Sequence, residues 1–174
     1  NGGLWEPHFH IARDGRVVCV YSDETQPGHS QTLQFVTSTD LGTSWSASLP
    51  LAALKDANAR PGMATVARLG PTGKFVMTFE VCGGVVKPDC GVRYRLSDDG
   101  IDFGDVAGAG EKVVVDSLQF AHTPTITWVA EGANGGGTTF LVGQMAMSEM
   151  GVEQPSSGKV VLASANFPPP NATS

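Results

Sequence analysis

Two glutamates in this chain stand where a carboxylate needs a chemical reason to be. Glu6 lies in "LWEPHF" (residues 4–9), between Trp5 and Pro7 in a run that otherwise reads as a buried strand, and Glu80 closes the apolar run "KFVMTFE" (74–80). Desolvating a carboxylate is costly unless it is paired or put to use. Two carboxylates brought to one spot can divide the work of breaking a glycosidic bond. One protonates the leaving oxygen, while the other attacks the anomeric carbon or activates water. That chemistry needs a frame that carries both side chains to the same place.

A repeat in the sequence supplies such a frame. "RDGRVVCVYS" (13–22) and "PTGKFVMTFE" (71–80) share a glycine turn, a basic residue and an apolar run ending near an aromatic, with Gly15 and Gly73 58 residues apart. "GGGTTFLVGQ" (135–144) repeats the form more loosely. A second element keeps nearly the same period: "STDLGTSW" (38–45) returns as the shorter "SDDGIDF" (97–103), with Ser38 and Ser97 59 residues apart. In Ser38-x-Asp40-x-Gly42-x-x-Trp45 the Asp can accept turn amides, the Gly can take a positive φ, and the Trp can pack beneath. These are turn staples and carry no catalysis.

Self-similarity at such a period indicates an array of small sheets. The fold expected is all-β, a β-propeller of four-stranded antiparallel blades, with 1–174 forming one partial propeller domain. Blade-like units are placed at about 4–50, 62–110 and 122–165, and three blades leave a ring incomplete, since closed propellers usually have 4 to 8. Helix signals are nearly absent, although "LAALKDANAR" (51–60) suggests one helical turn. The start of a first strand lies beside the end of an antiparallel second strand. Glu6 and Glu80 therefore fall on one face of neighbouring blades, with the Asp turns on the opposite face.

Composition narrows the class. Lys and Arg number 11 against 17 Asp and Glu, for a net charge of -6 and no basic cluster, so nucleic acid is not an expected partner. No apolar run approaches the roughly 18 residues that span a bilayer, so a soluble chain without a membrane partner is expected. The chain starts at Asn1 and a strand begins almost at once, which reads as a processed or partial chain. Cys82 and Cys90 bracket a short Gly/Pro loop that a disulfide could close, and Asn171-Ala172-Thr173 is a glycosylation sequon. Both point to an oxidising, extracellular location, hence a secreted protein. Cys19 reads as core. The four histidines are scattered and pair with no cysteines at ligand spacing, so neither a metal nor another cofactor is expected.

The complete Ser38–Trp45 motif resembles the Asp box of sialidase-type propellers. The blocks "WEPHF", "GRVVCVYSDE", "QTLQFVTSTDLGTSW", "RPGMATVARLGPTGKFVMTFEVCG" and "CGVRYRLSDDG" resemble glycoside hydrolase family 93, the fungal exo-α-1,5-L-arabinanases with a six-bladed, sialidase-like fold. "HTPTITWVAEGANGGGTTFLVGQ" (122–144) extends the likeness more loosely. The resemblance implies a retaining enzyme that releases arabinobiose from the non-reducing end of linear arabinan with two glutamates. Those residues would be Glu6 as general acid/base and Glu80 as nucleophile, 74 residues apart. Its partners would be a poly- or oligosaccharide substrate and the remaining blades, on another chain or segment. An acid/base needs a raised pKa while the nucleophile stays ionised, and Trp5 and Phe9 are placed to wall Glu6.

Other residues fall near the same face, each with a structural reading beside the functional one. Tyr21 and Asp23 end a second strand, where sugar contact and loop capping are equally open. Arg60 could meet substrate or pair with a local carboxylate. His8 and His10 share one side of a strand, in a core, rim or substrate-contact role. His122, before the third unit, could line the cleft, and His29 lies in a loop on this face. Trp128 and Met77 read as core. Two rival functions remain at this stage: a true sialidase, although the chain lacks the Phe/Tyr-Arg-Ile-Pro stretch that supplies one carboxylate-gripping arginine, and a non-catalytic propeller that binds glycans or a protein.

Overall fold

The computed structural model describes residues 2–70, 72–131 and 136–167. The Asn171 sequon lies outside them. The first sheet is formed by β1 (Leu4–Ile11), β2 (Val17–Asp23), β3 (Thr32–Ser38) and β4 (Leu49–Ala52), each paired antiparallel with its chain neighbour. Next come β5 (Arg60–Arg68), β6 (Phe75–Cys82), β7 (Gly91–Ser97) and the two-residue β8 (Glu111–Lys112). They are followed by β9 (Leu118–Ala121), β10 (Thr125–Glu131), β11 (Gly136–Val142), β12 (Met145–Ser148) and β13 (Leu162–Ser164). The second sheet has the order β12-β9-β7-β6-β5, with β8 also on β7, and the third has the order β10-β11-β13.

The three sheets stack face to face. Val18, Val20, Leu33 and Phe35 of the first pack on Ala64, Val66, Phe75, Met77, Phe79 and Val81 of the second. The opposite face of the second sheet, with Val76, Val92 and Leu96, packs on Ile126, Leu141 and Leu162 of the third. A sheet covered on both sides should read as continuous apolar runs. That is why "FVMTF" lacks alternation, and why both it and "GVRYRLS", whose Arg93 and Arg95 alternate with apolar residues, are buried throughout. The outer sheets bury one face each, leaving Phe9 57% exposed, with Ile11, Leu49, Val129 and Val142 also open to solvent. Trp128 fits because Gly70 and Gly137 have no side chain: a Cβ at either would come within 2.0 or 2.3 Å of the indole.

One expectation is corrected. No helical turn forms at 51–60, because Leu51 and Ala52 belong to β4 and bury against the core. Between the second and third units the chain adds a further strand to the second sheet. β9 and β12 pair with each other and join the second sheet through the single step Gly91↔Ala121. Among the described residues no helix is long and apolar enough to cross a membrane.

The two Asp turns share one wiring. Ser38 Oγ donates to Asp40 Oδ1 (2.7 Å) and accepts from the Gly42 amide (2.8 Å). Ser97 Oγ likewise donates to Asp99 Oδ1 (2.9 Å) and accepts from the Gly100 amide (2.8 Å). Gly42 and Gly100 take φ values of 88° and 80°. Hydrogen bonds from the Ser44 hydroxyl and amide, then from Ser38, hold the Asp40 carboxyl down to about 2. A depressed carboxyl adds stability that is present above its unfolded pKa and is lost as pH falls through the folded one. Asp40→Asn should therefore destabilise the protein at neutral pH, and the gap from wild type should close between about pH 4 and pH 2. Urea midpoints measured across that range check it; a gap independent of pH would refute it.

Candidate active site

Each carboxylate accepts a hydrogen bond from the amide of a left-handed, non-glycine residue. In β1, Trp5 pairs with Ser22 and His8 with Val20, so Glu6 and Pro7 together face Tyr21. This is a bulge, and Glu6 sits in it with φ 57°. In β5, Gly62 pairs with Glu80 and Thr65 with Thr78, so Met63 and Ala64 face Phe79, and Met63 has φ 53°. A bulged residue leaves the ladder and its N–H is re-aimed. The Met63 amide donates to Glu6 Oε2 at 3.0 Å, beside the Ser22 hydroxyl at 2.8 Å. One sheet further on, His122 and Thr123 precede β10 with φ 62° and 48°, and the Thr123 amide donates to Glu80 Oε2 at 2.8 Å. A left-handed non-glycine residue costs on the order of 1–3 kcal/mol, which these charge-assisted hydrogen bonds help to offset. Thus each carboxylate is gripped by an amide in or just before the first strand of the next unit.

Gly62 lies between the two carboxylates. A Cβ there would stand 2.6 Å from Gln31 Nε2, 3.4 Å from Ser22 Oγ and 3.5 Å from Glu6 Oε2. The absence of a side chain keeps the floor open. Glu6 is exposed, whereas the Glu80 side chain is only 13% exposed. Burial pushes the Glu80 carboxyl above the ordinary carboxylate range; the Thr123 amide and the nearby His122 pull it back, while the Glu6 and Asp89 charges push it further up. His122 Nδ1 stands 3.8 Å from Glu80 Oε2. The pair thus consists of an exposed carboxylate and a largely buried one whose charges influence each other.

The other sequence candidates divide. Trp5 is half exposed at the rim, its Nε1 donating to Glu24 Oε2 at 3.1 Å. Arg60 is engaged by Glu24, by Gln31 Oε1 (2.7 Å) and by Ser30 Oγ (2.9 Å), so it holds the rim together. Asp23 caps its own loop through the Thr25 amide and hydroxyl and the Gln26 amide group. Tyr21 points to the other side of the first sheet, where its hydroxyl meets Ser48 Oγ at 2.7 Å. His8 reaches across to the second sheet and accepts the Val66 amide at Nε2 (3.0 Å), while burial lowers its pKa. His10 likewise meets the Gly100 carbonyl at 2.7 Å. His122 is the histidine that meets a catalytic candidate.

Sequence reading missed Ser22, Gln31, Glu24 and the Met63 and Thr123 amides. Ser22 was findable as the cross-strand partner of Trp5; the amides had no signal, since neither Met63 nor Thr123 is a usual left-handed residue. Cys82 and Cys90 form a disulfide next to Glu80. A cavity of about 410 Å³ lined by Tyr94, Arg95, Phe103 and Glu111 lies on the outer strands, away from both glutamates.

Stacked antiparallel sheets with carboxylates at one end of the inner strands define part of a β-propeller, and solved structures share that fold. A GH93 α-L-arabinofuranosidase of Fusarium graminearum, in complex with arabinobiose, matches 93% of this chain at 24% identity and a TM-score of 0.68. A Penicillium chrysogenum α-L-arabinanase, also complexed with arabinobiose, matches 88% of the chain at 25% identity and a TM-score of 0.69. The Hadza microbial sialidase Hz136 matches 92% at 12% identity and a TM-score of 0.54. The chain spans 45%, 46% and 37% of those proteins. No protein-family model and no curated protein sequence matches it.

Proposed function

We propose that this chain contributes the catalytic carboxylates of a secreted, retaining, exo-acting glycoside hydrolase of the family 93 type, which cleaves α-1,5-linked L-arabinan. The observation that carries the proposal is the pairing of Glu6 and Glu80 across Gly62, each accepting the amide of a left-handed residue of the following unit, Met63 or Thr123. Glu6, open to solvent at the rim, gives its proton to the leaving oxygen, and Glu80 attacks the anomeric carbon to form a glycosyl ester. Water, deprotonated by Glu6, then breaks that ester, and the anomeric configuration is retained. The division of roles follows the sequence resemblance. The raised carboxyl of Glu80 must lose its proton before attack, and the Thr123 amide and His122 favour that loss. The remaining blades, on another segment or chain, would complete the sugar subsites.

A sialidase must instead grip the substrate carboxylate with arginines. The arginine beside this face, Arg60, is already bonded to Glu24, Gln31 and Ser30, which favours a neutral sugar. The deciding assay offers linear α-1,5-arabinan and sialyl-lactose to the complete protein. Release of arabinobiose with retained configuration, followed by NMR, is expected; cleavage of sialyl-lactose alone would overturn the substrate, and cleavage of neither would favour a binding module.

The His122 charge predicts a pH effect. Without it Glu80 holds its proton more tightly, so the ionised nucleophile forms only at higher pH. In His122→Gln the acid limb of the kcat/KM profile should move to higher pH. An unmoved limb would detach His122 from Glu80.

A further inference from the structure

We propose that reduction of the Cys82–Cys90 disulfide converts the Glu80 corner into a binding site for a soft, tetrahedral divalent cation such as Zn²⁺. Folding has brought His122 and Glu80 to the two cysteines, which are separated from His122 by a long stretch of sequence. One ligand atom from each of Glu80, Cys82, Cys90 and His122 lies within 4.8 Å of the other three. Zinc bonds of roughly 2.3 Å to sulfur and 2.0–2.2 Å to nitrogen and oxygen put neighbouring donors of a tetrahedron roughly 3.3–3.8 Å apart. Glu80 Oε1 stands 3.4 Å from Cys82 Sγ, and Glu80 Oε2 stands 3.8 Å from His122 Nδ1. Two thiolates, an imidazole and a carboxylate are a donor set suited to zinc or cobalt.

The oxidation state controls the site. In the disulfide neither sulfur carries the lone-pair charge of a thiolate. A thiol or phosphine reductant supplies two electrons and the sulfurs gain two protons, yielding two thiols while the reductant becomes a disulfide or a phosphine oxide. The cation then displaces both thiol protons and binds the two thiolates. The corner does not depend on the covalent bond for its shape. Val81 pairs with Gly91 across β6 and β7, and the His122 amide donates to the Cys90 carbonyl at 3.0 Å. Nearby, the Gly83 amide is held by Asp89 Oδ1 at 2.7 Å and the Val85 amide by Asp56 Oδ2 at 2.8 Å.

Capture would also occupy Glu80, so on the reading of Glu80 proposed above the loaded form is inactive. The test uses Co²⁺ as the probe, since its spectrum reports ligand type and geometry apart from activity. The full chain is reduced with a phosphine under chelation, exchanged anaerobically, checked for retained β-structure by circular dichroism and titrated with Co²⁺. One equivalent with thiolate-to-cobalt absorption and tetrahedral visible bands is expected, displaced by Zn²⁺ and absent from the oxidised chain. His122→Gln, which keeps the disulfide, should weaken Co²⁺ at least roughly tenfold after reduction.

Unfolding on reduction, no stoichiometric Co²⁺, or an undiminished signal in Cys82→Ser would each overturn the site. Hydrolysis assays separate the two readings. Loss of arabinan cleavage on loading, reversed by chelation, supports both. A cobalt-loaded chain with full activity would keep the metal site and refute the role of Glu80.

Discussion

Glu80→Gln should reduce hydrolysis of linear arabinan by roughly 10³-fold or more, with sugar binding retained. The amide side chain keeps an oxygen to accept the Thr123 N–H, 2.8 Å from Glu80 Oε2 in the native protein, so the local fold should survive. It cannot attack the anomeric carbon, and a displacement that runs through a glycosyl ester stops before its first step. Glu6→Gln should cost roughly 10²–10⁴-fold on arabinan, the range for loss of a general acid. The two variants should part on an aryl α-L-arabinobioside, whose leaving group needs little protonation. There Glu6→Gln should show a burst of phenol and be accelerated by azide, which replaces base-activated water, while Glu80→Gln stays silent. Exchanged behaviour would swap the roles of the two residues, and full turnover in either variant would remove it from the mechanism.

Phe79→Ala should destabilise the protein by about 3–5 kcal/mol, the usual cost of emptying a buried phenylalanine site. Phe79 has no solvent exposure, faces the Met63–Ala64 bulge and lies beneath the Arg95 guanidinium, 5.3 Å from its ring centre. Little can collapse into the void, because the second sheet is held on both faces by its neighbours. The contrast is Phe9→Ala in the first sheet: Phe9 is 57% exposed, and its loss should cost well under 1 kcal/mol. Urea unfolding of both variants checks the pair. Equal midpoints would mean that the packing between the first and second sheets contributes little to stability.

The stacked sheets were legible because turn chemistry and apolar runs recur together. Gly15, Gly73, the Ser38 turn and the Ser97 turn punctuate the chain at one period, and strands between such marks have few other options. What escaped was whatever depends on contacts between units. "LAALKDANAR" has helical composition, yet burial of Leu51 and Ala52 on the core decides for strand. Glu6 and Glu80 stood out because charge is rare at the ends of such runs. Their partners did not, since Met63 and Thr123 act through backbone amides that carry no side-chain signature. His122 meets Glu80 because β9 pairs with β7 and the His122 amide bonds to the Cys90 carbonyl, contacts between distant segments that no local pattern records.

The two left-handed amide donors make each joint between units a check on its register. The Met63 amide belongs to the unit after Glu6, and the Thr123 amide to the unit after Glu80. A strand that slips by one residue sends its side chains to the wrong face and withdraws its amide from the neighbour's carboxylate. The stranded carboxylate then loses the donor that holds it in place. The placing of each carboxylate is therefore a property of the joints between units, and a misjoined unit leaves its neighbour's carboxylate unheld.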